Sequence, residues 1–148
     1  MYATYNNLGA SENKQVDQTG LFQIENKHHK TELLTTNNLV CIEIYADWCG
    51  PCKAIASRYA TMAAEYQKSG ALLVKYNYNN MSDEEKKQYN AIPMFEFYRN
   101  GKLVGDKTVV GADLDKVEVV LNELLGIETG SFSNSQFTKN AIRNFRPI

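Results

Sequence analysis

Cys49 and Cys52 are separated by two residues in Trp48-Cys-Gly-Pro-Cys-Lys53, directly after the apolar run Val40 to Ala46. A thiol pair at that spacing can close into a disulfide and reopen, hold a metal, or staple a fold. The surrounding residues favour redox chemistry. A helix is expected to begin near Cys49, because Pro51 suits the first turn, where a missing N–H is no loss. Free N–H groups and the dipole at that end stabilise a thiolate, and the thiolate rather than the thiol attacks a disulfide. Cys52 lies one turn further along the same face and should be less exposed. Cys49 is therefore the expected nucleophile and Cys52 the resolving thiol, leaving Cys49–Cys52 oxidised. Trp48 beside the pair, Gly50-Pro51 within it and the strand before it argue against two inert core cysteines.

Composition narrows the alternatives. The chain has 148 residues, 43% of them hydrophobic, enough for one compact domain with some surplus. A net charge of −1 provides no global field for nucleic acid or an acidic membrane. No apolar run approaches the ~20 residues that span a bilayer, and Met1 to Gly20 lacks the apolar core of a secretory signal. The cysteines number three, with Cys41 the odd one, which is not a secreted disulfide framework. A zinc site would need two further ligands at matching spacing. His28 and His29 would diverge by roughly 100° on a helix, and both are read as solvated surface residues. A reducing compartment, the cytoplasm, is the simplest location, with no metal at the site and neither nucleic acid nor membrane as a partner.

The elements that must position the pair are legible in outline. Leu21 to Glu25 reads as a short edge strand and Asn26 to Thr36 as a helix. Val40 to Ala46, apolar except for Glu43, suits a strand covered on both faces. In the helix from Cys49, the residues Ile55, Tyr59, Met62, Ala63 and Tyr66 recur at helical spacing until Gly70. Ala71 to Tyr78 is the next strand. Ser82-Asp-Glu-Glu85 fits a capping box and opens a helix to about Tyr89. Pro93 introduces the strand Met94 to Tyr98. Asn100-Gly101 is a hairpin signal, with Lys102 to Val109 returning antiparallel. A last helix follows Asp113 and carries the stripe Leu114, Val117, Leu121 and Leu124, closed by Gly126. The expected class is α/β: a central mixed sheet of about five strands with helices on both faces.

Trp48-Cys-Gly-Pro-Cys-Lys53, preceded by Tyr45-Ala-Asp47, resembles the active site of the thioredoxin family. Ile92-Pro93, followed by Phe95 to Tyr98 and Asn100-Gly101-Lys102, resembles its second signature, and Val110-Gly111-Ala112 its third. The resemblance spans about residues 21–126 and implies the thioredoxin fold. It further implies that Pro93 is cis and faces the sulfurs, where alone an X–Pro bond is cis only ~5–6% of the time. The Ile92 carbonyl and amide would then be free to pair with a substrate chain. Trp48, Gly50, Pro51, Ile92, Pro93, Gly111 and Ala112 would form a shallow apolar groove. Plain core or turn packing is the alternative for Ile92 and Ala112.

Glu43 departs from the family, in which a buried Asp at this position serves as proton acceptor for the second cysteine. Here the acid is one methylene longer. Its expected role is proton transfer to and from Cys52, and the alternative is a glutamate reaching solvent. Lys75 occupies the position of a family lysine near that acid, or is simply solvated. Ser57 replaces a proline that often kinks the helix, and Tyr45 stands where Trp or Phe is usual. Cys41 is read as a small core residue.

The resemblance implies a protein-disulfide reductase with no bound organic cofactor. Its partners would be disulfide-containing client proteins and an NADPH-dependent thioredoxin reductase. Two alternatives stay open, a thioredoxin-fold oxidant or isomerase and a non-catalytic binding or structural component. Residues 1–20 form a polar extension and 127–148 a C-terminal extension. In the latter, Thr129 to Ser135 reads as a linker, and Lys139, Arg143 and Arg146 recur at helical spacing with Phe137, Ile142 and Phe145 among them; a flexible terminus is expected there, and a short docking helix is the alternative.

Overall fold

Strand β2 (Leu39–Tyr45) is buried along its whole length. Successive side chains alternate between faces, so Val40, Ile42 and Ile44 enter one layer while Cys41, Glu43 and Tyr45 enter the other. The computed structural model describes residues 21–127. Residues 1–20 and 128–148, with the linker from Thr129 and the basic residues after it, lie outside those residues.

The elements follow as β1 (Gln23–Ile24), α1 (Lys27–Thr36), β2, α2 (Gly50–Gln67), β3 (Ala71–Asn77), α3 (Asp83–Lys86), β4 (Met94–Arg99), β5 (Lys102–Leu103), β6 (Val109–Val110) and α4 (Leu114–Leu125). The sheet has six strands in the order β1-β3-β2-β4-β5, with β6 also on β4. β1 and β2 run parallel to β3, and β4 is antiparallel to β2. β2 is thus hydrogen-bonded on both edges, and every residue of it is buried on one face or the other, which explains its near-continuous apolar sequence.

On the first face, Val40, Ile42 and Ile44 join Phe22, Ile24, Leu33, Val74, Tyr76, Met94 and Tyr98 in one cluster. Fully burying a Val, Leu, Ile or Phe contributes about 1.5–3 kcal/mol, so this layer is a main source of stability. On the opposite face, α2 inserts Tyr59, wholly buried. Its hydroxyl donates to the carbonyl oxygens of Val74, at 2.8 Å, and Cys41, at 3.2 Å, and its ring lies 5.5 Å from that of Phe95. Helix α2 runs unbroken through Ser57.

Local signals explain the element ends. Ser82 Oγ accepts from the Glu85 N–H at 3.2 Å while Glu85 Oε1 accepts from the Ser82 N–H at 3.0 Å, completing the capping box. Helix α3 is shorter than the stretch to Tyr89 that its sequence suggests. Gln88 and Tyr89 donate to carbonyls three residues back, at 3.0 and 3.1 Å, so the chain tightens into turns. The tightening turns Tyr89 inward, where it is buried. At the hairpin, Asn100 (φ 52°) and Gly101 (φ 82°) both take the left-handed backbone that such a turn demands. The returning chain is not one strand. A 3-10 turn at Gly105–Lys107 divides it into β5 and β6, which is why six strands replace the expected five.

His29 is the clearest correction. It is buried rather than solvated. Asn26 caps α1 by accepting from the His29 N–H at 2.9 Å, and His29 Nδ1 accepts from the Glu25 N–H at 3.0 Å. Its ring meets Phe22 edge-on at 5.3 Å. His28, by contrast, is exposed and lies 3.7 Å from Glu32.

A second compact unit begins at Asp115 and contains all but the first residue of α4. In α4 the buried positions are Leu114, Val117, Val120, Leu121 and Asn122; Leu124 is only half-buried. Gly126, at φ 74°, ends the helix, and the Ile127 N–H returns to the Asn122 carbonyl at 2.8 Å.

Candidate active site

The apolar strand β2 delivers the chain to the carboxyl end of a central strand at Tyr45, and Ala46 to Trp48 turn it into α2. The Cys49 N–H donates back to the Ala46 carbonyl at 3.1 Å, closing that turn. Cys49 is the N-cap of α2, and its Sγ accepts from the Cys52 N–H at 3.2 Å. A backbone donor in the helix's first turn is therefore aimed at the sulfur of the expected nucleophile. Cys49 and Cys52 are disulfide-bonded, with Cα atoms 5.3 Å apart. Both are buried in this oxidised state. Tyr45 and Ala46 form a cluster with the two cysteines, and Tyr78 and Ile92 pack against it.

Trp48 is 64% exposed, uncommon for so large an apolar ring and suited to contact with another molecule. Its indole N–H donates to Asn79 Oδ1 at 3.3 Å. Asn79 is itself held, since its N–H donates to Asn77 Oδ1 at 2.9 Å, and Asn77 Nδ2 donates to Asp47 at 3.5 Å. Gly50 and Pro51 are exposed between the cysteines.

The Ile92–Pro93 peptide bond is cis. Pro93 is buried and Ile92 half-buried. The Pro93 carbonyl accepts from the Gly111 N–H at 2.8 Å, so the second and third motifs are tied directly. Gly111 sits at φ 100°, which disfavours any residue with a Cβ. Ala112 is exposed beside it.

Glu43 is buried in β2, in register with Lys75 of β3 on one side and Phe95 of β4 on the other. Lys75 is buried as well, which removes the solvated reading of both residues. The Lys75 ammonium lies 4.2 Å from the Tyr45 ring centroid, within cation–π range. Cys41 is fully buried on the same face, its Sγ 3.6 Å from the Tyr59 hydroxyl. Burial pushes its thiol pKa far up, only partly offset by that hydroxyl, so it is not a second reactive sulfur.

Several residues escaped the sequence reading. Asn79 holds Trp48, and Tyr78 packs on the redox pair. Tyr89, Asn90 and Ala91 line, with Trp48, Tyr78 and Ile92, a groove of about 360 Å³. One signal could have found the first two: they follow the carboxyl end of β3, and functional residues gather at the carboxyl ends of parallel strands.

The sequence matches the thioredoxin family profile over residues 20–123. The chain belongs to the thioredoxin family. Neurospora crassa thioredoxin is 33% identical over 110 residues, covering 71% of this chain and 87% of its own. Human thioredoxin is 30% identical over 106 residues, covering 70% and 97%. Among solved structures, Schistosoma mansoni thioredoxin superposes with a TM-score of 0.61 at 31% identity, over 71% of this chain and 95% of that one. The fold is thus the thioredoxin fold, and the protein is a thiol–disulfide oxidoreductase that works as a disulfide reductase. Cys49 and Cys52 form the bonded pair at the position where thioredoxins carry their redox centre. Among the described residues, no helix is long and apolar enough to cross a membrane.

Proposed function

We propose that this member of the thioredoxin family reduces disulfides in client polypeptides in the cytoplasm, drawing electrons from an NADPH-dependent thioredoxin reductase. The observation that carries the reading is the Cys52 N–H directed at Cys49 Sγ at the head of α2, 3.2 Å away. In the reduced state that donor and the helix dipole favour the Cys49 thiolate. The thiolate attacks one sulfur of the client disulfide. A mixed disulfide forms, and the departing client thiolate takes up a proton. Cys52 then loses its proton and attacks Cys49 Sγ, displacing the second client sulfur. The client gains two electrons and the protein is left as Cys49–Cys52. An upstream reductase must supply two electrons to reopen it.

Glu43 is the group proposed to take the Cys52 proton, with Lys75 beside it modulating the carboxyl. The burial of both supports this, because a buried carboxyl between strands has few competing roles. The exposed Trp48 ring, Gly50, Pro51, Ile92, cis-Pro93, Gly111 and Ala112 are proposed to hold the client chain extended. The Pro93–Gly111 hydrogen bond supports that role, since it joins the two loops that would flank the client. The Gly-Pro dipeptide between the cysteines favours net reduction over oxidation.

The test is insulin reduction with dithiothreitol or reductase as electron source. Wild-type protein should precipitate the insulin B chain, and Cys49→Ser should not. Equal turnover by the two proteins would overturn the reading.

A further inference from the structure

The stretch Tyr78 to Ile92 flanks the redox centre and is fastened to the sheet from behind. Its two ends, Tyr78 and Ile92, pack on the cluster that holds both cysteines. Asn79, next to the first end, accepts the Trp48 indole N–H at 3.3 Å. Between its ends the stretch leaves the site, and Met81 and Tyr89 enter the core on the first face of the sheet.

Two tyrosine–glutamate bonds join that middle part to the sheet, and they run in opposite senses. Tyr76 of β3 donates its hydroxyl to Glu85 Oε2 of the stretch at 2.8 Å. Tyr89 of the stretch donates to Glu96 Oε1 of β4 at 2.9 Å, and Tyr98 of β4 donates to the same oxygen at 3.0 Å. Both glutamates and all three tyrosines are buried. Hydrogen bonds to a carboxylate are the strong ones, and a buried acid stripped of its donors is left at a high desolvation cost.

Lys30 of α1 interacts with both acids. Burial lowers its pKa, and the charges of Glu96 and Glu85 oppose that lowering. Its ammonium lies 5.2 Å from the Tyr98 ring centroid. Burial would raise the Glu85 carboxyl, yet the Ser82 donors, the Tyr76 hydroxyl and the Lys30 charge hold it below the ordinary carboxylate value. Glu85 therefore accepts as an anion at neutral pH. One cation thus serves two carboxyls on two different elements, in a core layer that contains neither cysteine.

We propose that these reciprocal tyrosine–glutamate clasps set the position of the redox site's flank, with Glu85, Glu96 and Lys30 as positioning residues acting through Tyr76 and Tyr89. The inference rests on the reductase reading and adds control of that site from the far core layer. A flank held in place beforehand need not be ordered when a client docks, so less of the docking energy is lost. A small disulfide that does not lie along the flank gains little from it.

The experiment uses full-length reduced protein and two readouts. The first is the second-order rate with a peptide mixed disulfide, divided by the same protein's rate with a small aryl disulfide. The second is solvent exchange of the Trp48 indole N–H by NMR, a clean probe because Trp48 is the chain's one tryptophan. Tyr76→Phe and Tyr89→Phe each keep the ring and remove one clasp, and each should lower the rate ratio about threefold. The double variant should lower it about thirtyfold, more than the product, because either clasp alone still holds the stretch. Indole exchange should quicken in the same order. Glu96→Val should act like Tyr89→Phe, and Glu96→Gln, which keeps an acceptor oxygen, should restore the ratio. Lys30→Met should lower the ratio and Lys30→Arg should restore it.

Variants that lower the melting temperature yet leave both the ratio and the indole exchange unmoved would show the clasps to be structural only. A double variant no worse than the product of its singles would overturn the shared hold, and an unchanged Lys30→Met would remove Lys30 from it. Absence of wild-type reaction with either disulfide would sink the reductase reading instead, and indole exchange alone would then decide the clasps.

Discussion

The Cys52 N–H donates to Cys49 Sγ across 3.2 Å, so the resolving residue's backbone steadies the sulfur that its side chain later releases. Both functions follow from a spacing of one helical turn. The N-cap sulfur accepts from the third residue on, as a capping side chain does, and the same residue's thiol stands on the same face.

That relationship predicts unequal thiols. In the reduced protein at neutral pH, Cys49 should alkylate at least about tenfold faster than Cys52, because its thiolate is favoured by the helix start. Mass spectrometry of briefly alkylated protein measures the ratio. Equal labelling would remove the basis for assigning the nucleophile. Cys52→Ser should accumulate client mixed disulfides through Cys49, visible as reducible adducts.

Cys41 should stay silent. Burial raises its pKa and encloses it beneath Tyr59. Thiol titration of the reduced native protein should count two reactive groups, with the third appearing only in denaturant. Tyr59→Phe removes the hydroxyl that serves the Val74 and Cys41 carbonyls and should destabilise the fold by about 1–2 kcal/mol in urea unfolding. A neutral result would show that those carbonyls find other donors.

Glu43 faces the same layer as Cys41 and is in register with buried Lys75. If its carboxyl accepts the Cys52 proton, Glu43→Gln should slow turnover about tenfold or more near neutral pH, with the loss shrinking as alkaline pH ionises Cys52 directly. Stopped-flow rates across pH measure this. A parallel loss at every pH would point to packing instead.

His29 makes stability pH-dependent. Burial lowers its pKa, against the opposing pull of Glu25 and Glu32, with His28 adding to the lowering. The unfolded chain then binds the proton more readily than the folded one. The sign follows: stability is intact above the unfolded-state value of about 6.5 and falls with pH from there towards the lowered folded-state value. His29→Gln should lose less stability than wild type between pH 7.5 and 5.5 in denaturant titrations. An identical fall would assign the acid sensitivity to other groups.

Much of the site could be read from residue order because its signals are local. Pro51 after Cys49, Ser82 with Glu85 and Asn100-Gly101 each specify a turn or cap through atoms only a few bonds apart. The burial of His29 was hidden because neighbouring residues on a helix face different ways, and only the docking of α1 decides which is covered. The length of α3 was misread for a similar reason: Ser82 starts the helix, but Glu96 on another element captures Tyr89 and draws the chain inward.

Residue types and their spacing were sufficient for the redox pair, the helix that activates it, the strand beneath it and the family to which the chain belongs. Tertiary structure alone brought Asn79 to Trp48, Gly111 to Pro93 and Glu96 to Tyr89, and made one wall of the groove from Tyr78 and Ile92. The physical reason is range. Caps, turns and hydrophobic periods act over a few residues, whereas these contacts depend on strand register and on which faces meet, which no short stretch of chain encodes.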